Sequence, residues 1–175
     1  MTVIRFAKSF DRDAIRCNYL DIFPESENRA VADLAAGLLT ESSYTFNLVA
    51  DSEGQIVGHV AFSPLTATTE KNWKGYILAP LAVKPECQKQ GIGSKLVKTG
   101  IEQLKKKAID MLFVYGDPKY YERFGFTSEA AQQFVPPYKL TYPTGWQAMM
   151  LNQYSVSESE ARLSCVVPLC NPALW

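Results

Sequence analysis

The apolar and polar positions divide the chain into alternating strand and helix segments. Thr2 to Ala7 alternates with the period of two expected of a half-buried first strand. A short helix follows to about Tyr19, with Ser9 or Asp11 able to cap it. Ala30, Val31, Leu34, Ala35 and Leu38 recur at helical spacing and predict a second helix over Ser26 to Leu39. Phe46 to Asp51 and Gln55 to Pro64 read as strands. They are joined by Ser52-Glu53-Gly54, with glycine where a hairpin turn needs positive φ. Thr66 to Lys74 reads as a looser connection.

The sharpest pattern comes next. An apolar strand from Tyr76 to Val83 runs through a proline and a polar turn into Gln88-Lys89-Gln90-Gly91-Ile92-Gly93-Ser94, and then into a long amphipathic helix. Ile92, Leu96, Val97, Gly100, Ile101, Leu104 and Ala108 mark its buried face, leaving Lys95, Lys98, Lys105, Lys106 and Lys107 as a solvated one. Met111 to Tyr115 is a short continuous apolar strand of the kind buried on both faces, so strand, helix and strand form a right-handed βαβ unit. Asp117-Pro118 predicts a turn capping a helix that carries Tyr121. Phe134 to Gly145, with its prolines, reads as an irregular surface loop. Trp146 to Gln153 and Arg162 to Val167 read as closing antiparallel strands. The expectation is one α/β domain over residues 1–175 with a mixed sheet.

The strand–turn–helix junction carries specific chemistry. The first N–H groups of a helix lack partners inside it and carry the positive end of the peptide dipole. Gly91 and Gly93 remove side chains that would hold an anion away, so a phosphate or pyrophosphate fits here. The spacing differs from the dinucleotide G-x-G-x-x-G and from the P-loop.

In context, Gln88-Lys89-Gln90-Gly91-Ile92-Gly93 resembles the Q/R-x-x-G-x-G/A pyrophosphate loop of the GNAT superfamily of acyl-CoA-dependent N-acyltransferases. Tyr120-Tyr121-Glu122-Arg123-Phe124-Gly125-Phe126 resembles the Y-x-x-x-G-F signature that closes the cofactor site of that family. The pair is similar to the YhbS-like branch. The resemblance implies a GNAT fold with a splayed central sheet, acetyl-CoA as co-substrate, and direct acetyl transfer to a primary amine of a small molecule or protein. The alternative is an acyl-CoA-binding sensor without turnover. It implies that Gln88, Lys89, Gln90, Gly91, Ile92, Gly93 and Ser94 hold the cofactor phosphates. Leu81, Ala82 and Val83 would line the pantetheine arm, with the Leu81 N–H as oxyanion donor. Pro80 marks either the bulge that opens the sheet or a local kink.

By the same resemblance Tyr121 is the general acid, four residues before Gly125, with Tyr120 its rival; packing alone is the bland reading of both rings. The family often carries a strand glutamate as base, and Gly75 to Leu81 has no carboxylate. His59, the only histidine, has an ordinary pKa suited to a general base. A lone strand histidine also serves as a hydrogen-bonded structural group, and both readings stand. Ser63, Glu41 and Asp117 are lesser polar candidates.

Composition narrows the partners. With 18 basic and 18 acidic side chains the net charge is zero, which argues against a nucleic-acid binder. The N-terminus lacks the apolar core of a signal peptide, and no apolar run is long enough to cross a bilayer. Cys17, Cys87, Cys165 and Cys170 form no C-x-x-C pair, so no metal site is expected. Reduced thiols in the cytoplasm are the expectation, with Cys165 and Cys170 near enough in sequence to approach each other. A monomer and a homodimer paired through the late strands both fit.

Overall fold

A computed structural model describes residues 1–41, 44–68, 72–153 and 159–175. The strands are β1 (Thr2–Phe6), β2 (Phe46–Ser52), β3 (Gln55–Ala67), β4 (Gly75–Val83), β5 (Met111–Tyr115), β6 (Phe134–Val135), β7 (Trp146–Met150) and β8 (Ala161–Ser164). They form an eight-stranded mixed sheet whose main path runs β1-β2-β3-β4-β5-β7. Neighbours on this path are antiparallel except β4 and β5, which run parallel as the ends of the βαβ unit. The helices are α1 (Arg12–Ile22), α2 (Asn28–Thr40), α3 (Ile92–Lys106) and two single turns, α4 (Pro118–Tyr121) and α5 (Ser128–Ala131).

The 3.6-residue periodicity of α3 decides its seat. Leu96, Val97 and Leu104 are fully buried against Phe62, Leu78 and Leu112 of the sheet. Burying each such side chain contributes about 1.5–3 kcal/mol relative to leaving it exposed. Gly100 is buried because the Phe62 ring occupies the space a Cβ would take. The helix ends at Lys106, and Ala108 turns into the left-handed region at φ 54° and stays exposed, so the predicted apolar face is one residue too long. Lys107 is not merely solvated, since its ammonium sits 5.0 Å from the centroid of the Phe46 ring.

On the opposite face, Ile15 and Tyr19 of α1 and Ala32 and Ala35 of α2 pack against Val49, Ile56 and Ala82. Asp11 does not cap α1 through its side chain. Its carboxylate takes both Arg5 guanidinium N–H groups (2.8 and 3.0 Å) and the Lys8 N–H (2.7 Å), and the Arg5 pair holds its pKa below the ordinary value. Between Thr66 and Lys74 the expected looseness is partly replaced. β3 continues to Ala67 and pairs with β8, while residues 69–71 lie outside the described set. Phe134 also departs from a surface loop: it is buried, and β6 pairs in parallel with β8. Arg162–Val167 is strand only to Ser164, beyond which Pro168 turns the chain at Val167–Leu169. The sulfurs of Cys165 and Cys170 lie 3.8 Å apart as free thiols, and burial and Cys170 push Cys165 up to about 12. Among the described residues no helix is long and apolar enough to cross a membrane.

Candidate active site

Two strands that part company make the site. β4 and β5 pair from Gly75 with Met111 to Leu78 with Val114, and no further. On its other side β4 stays beside β3, where Val60 faces Leu81 and Phe62 faces Leu78. Ala79 and Pro80 therefore oppose Ala61 alone, a one-residue bulge in β4, and the Ala79–Pro80 peptide is cis. Past this bulge β4 leaves an open edge. Lys84 N–H donates to Val57 O at 2.9 Å, and hydrogen-bonded residues alternate along an antiparallel ladder. Ala82 accordingly faces β3, opposite His59, while Leu81 and Val83 direct N–H and C=O to the open side. The Val83 carbonyl is met there by the Gln88 side-chain amide at 3.0 Å.

Beyond β4, the chain turns through Lys89 at φ 59° and Gly91 at φ 79° into α3. Gly91 is the left-handed residue before the helix, and a Cβ placed on it would meet nothing within 4 Å. Lys95 N–H is bonded to Gly91 O at 3.0 Å, whereas none of the N–H groups from Lys89 through Ser94 donates to any described residue. A row of unpaired donors at the positive end of a 15-residue helix, with open space before it, forms an anion cradle. The Gln90 side chain braces the turn on Glu86 O at 3.2 Å, and Ile92 is buried beneath it.

The gap between β4 and β5 opens into a cavity of about 810 Å³. Leu78 to Leu81 form one wall, and Gly116, Asp117, Pro118, Tyr120 and Tyr121 another. Asp117 caps α4 by accepting Lys119 N–H at 3.0 Å, as expected from Asp-Pro, and this sets the two tyrosines in the cavity wall. The Tyr121 ring lies over Gly116, where a Cβ would come within 2.7 Å of Cε2. Its hydroxyl takes no hydrogen bond from any described residue, and burial raises its pKa well above the ordinary phenol value. Tyr120 stands at right angles to it, ring centroids 5.0 Å apart, under the Arg123 guanidinium. The Tyr120 hydroxyl reaches the anion cradle, since a Cβ on Gly93 would sit 2.5 Å from it.

The structure thus brings Leu81, Tyr120 and Tyr121 into one cavity, and sets Gly93 of the cradle beside the Tyr120 hydroxyl and Val83. His59 lies elsewhere, buried beneath α1. Its Nε2 is 3.0 Å from Asn47 Oδ1 and its Nδ1 2.9 Å from the Tyr19 hydroxyl. Asn47 donates its own amide to Leu38 O at 3.1 Å, so its oxygen must accept, which places the imidazole proton on Nε2 and leaves Nδ1 to accept from Tyr19. Burial lowers the His59 pKa to about 3. Ser63 is buried on β3, its Oγ without a partner among the described residues, and Glu41 follows α2. The resemblance pointed to the first two helices and their connection as the border of the acceptor site, but sequence reasoning did not single out the far wall of the cavity, where Glu27, Tyr115, Thr141, Tyr142 and Trp175 converge from four separate segments. The acidic Pro24-Glu25-Ser26-Glu27 link between α1 and α2 was its one local signal.

Comparison with known proteins agrees with this geometry. Residues 43–128 match the family model of the acetyltransferase (GNAT) domain, a stretch holding both the cradle and Tyr121. The chain is 42% identical over 113 residues to the uncharacterized N-acetyltransferase YjhQ of Escherichia coli K12, covering 62% of each chain. It is 40% identical over 102 residues to the uncharacterized N-acetyltransferase YhbS of the same strain, covering 57% of this chain and 60% of that one. The matches therefore span about three fifths of the curated relatives' length. The crystal structure of E. coli YhbS in complex with CoA superimposes with a TM-score of 0.85 at 26% identity over 97% of this chain and 92% of that one. A GNAT acetyltransferase of Brucella melitensis in complex with acetyl-CoA gives 0.73 at 26% identity, over 92% and 94%. In sequence over its middle part and in fold over nearly its whole length, this chain, with its bulged and splayed sheet, is similar to the acetyltransferases of the GNAT superfamily.

Proposed function

We propose that this protein transfers an acetyl group from acetyl-CoA directly to a primary amine of a small molecule or protein. The carrying observation is the row of unpaired N–H groups from Lys89 to Ser94 beside a slot lined by the free Tyr121 hydroxyl. The residues present fit the co-substrate: the left-handed Gly91 leaves room for a pyrophosphate, and the open edge of β4 offers backbone groups to an amide-bearing arm. Gln88 through Ser94 would hold the phosphates and Leu81 and Val83 the arm, with Ala82 supporting them from within the ladder. Bound acetyl-CoA supplies an activated acyl carbonyl and a thiol leaving group.

The remaining work belongs to the chain. Leu81, just after the bulge, presents an N–H at the open edge, where a fixed donor stabilises negative charge growing on an acyl oxygen. Tyr121, kept protonated by burial, holds a proton for the departing sulfur. The same desolvation raises the pKa of a thiol, which narrows the gap that proton must climb. His59, with both ring nitrogens engaged, acts in this reading as a positioning residue that pins α1 to β3.

The test is a thermal melt with CoA, acetyl-CoA and ATP, joined to turnover assays. At a hundred times its dissociation constant, a ligand confined to the native state stabilises it by about 2.7 kcal/mol. Both CoA species are expected to shift the wild type, ATP to do so weakly, and Gly91→Glu to abolish the shift. Tyr121→Phe should keep the CoA shift and slow turnover by roughly 10²–10⁴-fold. A folded protein with no CoA shift overturns the reading. CoA binding with no acetylation of any amine assigns the chain to acyl-CoA sensing instead.

A further inference from the structure

The same cavity is also lined by residues outside the set assigned to the cofactor. Val31 and Leu34 of α2, with Phe23 before it, form one side, and Tyr115, Leu169 and Trp175 the other. Tyr115 and Trp175 stack with centroids 6.4 Å apart and planes 11° from parallel. That wall is fixed by hydrogen bonds: Tyr142 N–H donates to the Tyr115 hydroxyl (2.8 Å), and the Thr141 hydroxyl to Trp175 O (2.9 Å). The charged residues lining the whole cavity are Glu27 and Asp117, with no lysine, arginine or histidine beside them. Asp117 is occupied as the cap of α4. The Glu27 backbone is bonded to Pro24 O and Val31 N–H, but its exposed side chain makes no hydrogen bond or ion pair with any described residue, so its carboxylate is the cavity's available negative charge.

We propose that the acceptor is a small primary amine with an aromatic or branched aliphatic body, its ammonium docking on Glu27 and its body lying along the Tyr115–Trp175 wall. This rests on the acetyltransferase reading and specifies its second substrate. Charge complementarity selects a cation, and a single free carboxylate selects one positive charge, which sets polyamines aside. Apolar walls leave the hydroxyls of an amino sugar unpaired on transfer from water, a cost of a few kcal/mol for each. A volume of about 810 Å³, shared with the end of the cofactor arm, lies in the range of about 300–1,000 Å³ that encloses small molecules. The ammonium loses one proton to solvent at the mouth. The neutral nitrogen then bonds to the acyl carbon as the carbon–sulfur bond breaks, its second proton leaves to solvent, and the sulfur takes the Tyr121 proton, which solvent replaces.

The experiment measures kcat and KM with saturating acetyl-CoA for phenylethylamine, isoamylamine, spermidine, glucosamine and a lysine-containing peptide, identifying products by mass. Phenylethylamine or isoamylamine is expected to lead in kcat/KM by about tenfold or more. Glu27→Gln should raise the KM of that amine roughly tenfold, with kcat and the KM of acetyl-CoA nearly unchanged. The exposed Glu102→Gln on α3 is the charge control and should change neither. Preference for spermidine, glucosamine or the peptide overturns the inference and leaves the acetyltransferase reading intact. So does an unchanged KM in Glu27→Gln. Binding of CoA with none of the five amines acetylated overturns it too, while absence of any CoA shift removes both readings.

Discussion

His59 shows how a single buried group ties stability to pH. Free in an unfolded chain, an imidazole titrates near 6.5, whereas here desolvation lowers it to about 3. The native state therefore binds no proton over a window in which the unfolded state does, so the stabilising contribution is full above pH 6.5 and is lost as pH falls toward 3. At pH 5 the loss should amount to about 2 kcal/mol. Urea melts of wild type at pH 7.5 and 5 should show it, and the difference should shrink in His59→Asn; an unchanged difference would return His59 to the list of accessible bases. The sequence carried the residue type and its strand, while the pairing with Asn47 depends on the register of the β2–β3 hairpin and Tyr19 comes from α1, 40 residues away. Tyr121 was legible because its spacing to Gly125 is local. Glu27 was not, because its place in the cavity depends on how α1 and α2 lie across the sheet.

At the scale of elements, α3 couples the anion cradle to the core. Its first turn presents free N–H groups, and two turns later Gly100 lets Phe62 pass beneath the helix. Gly100→Ala places a methyl group inside the space of that ring and should destabilise the fold by about 1–3 kcal/mol despite the better helix propensity of alanine. Chemical denaturation would read it, and a stabilised variant would mean that Phe62 has room to swing aside. Local patterning made β1 to β5 and the long helices legible, since each closes on a neighbour or buries a periodic face. β8 was legible as a strand at Arg162, whereas β6, the extension of β3 and their pairing with β8 escaped because the partners are remote and the runs short. The cap of α4 was readable from Asp117-Pro118, whereas the Asp11 carboxylate expected to cap α1 is occupied by Arg5 and the Lys8 N–H instead.

Over the whole molecule, the three clusters of buried residues meet at β4, and the bulge decides how. Leu78 and Leu81 both pack toward α3 although three positions apart, while Ile77 and Ala82 turn to the opposite face. Removing Pro80 alone would bring Leu78 and Leu81 two positions apart, the natural strand period, and leave every side chain facing its present cluster. Such a variant is expected to unfold cooperatively by circular dichroism and to show no CoA shift; retention of the shift would mean that the slot does not depend on the bulge. One codon then separates a ligand-binding sheet from an ordinary one. A lineage could lose or regain its chemistry across that step without passing through an unfolded intermediate, and a folded, silent descendant would differ from its active parent by length alone.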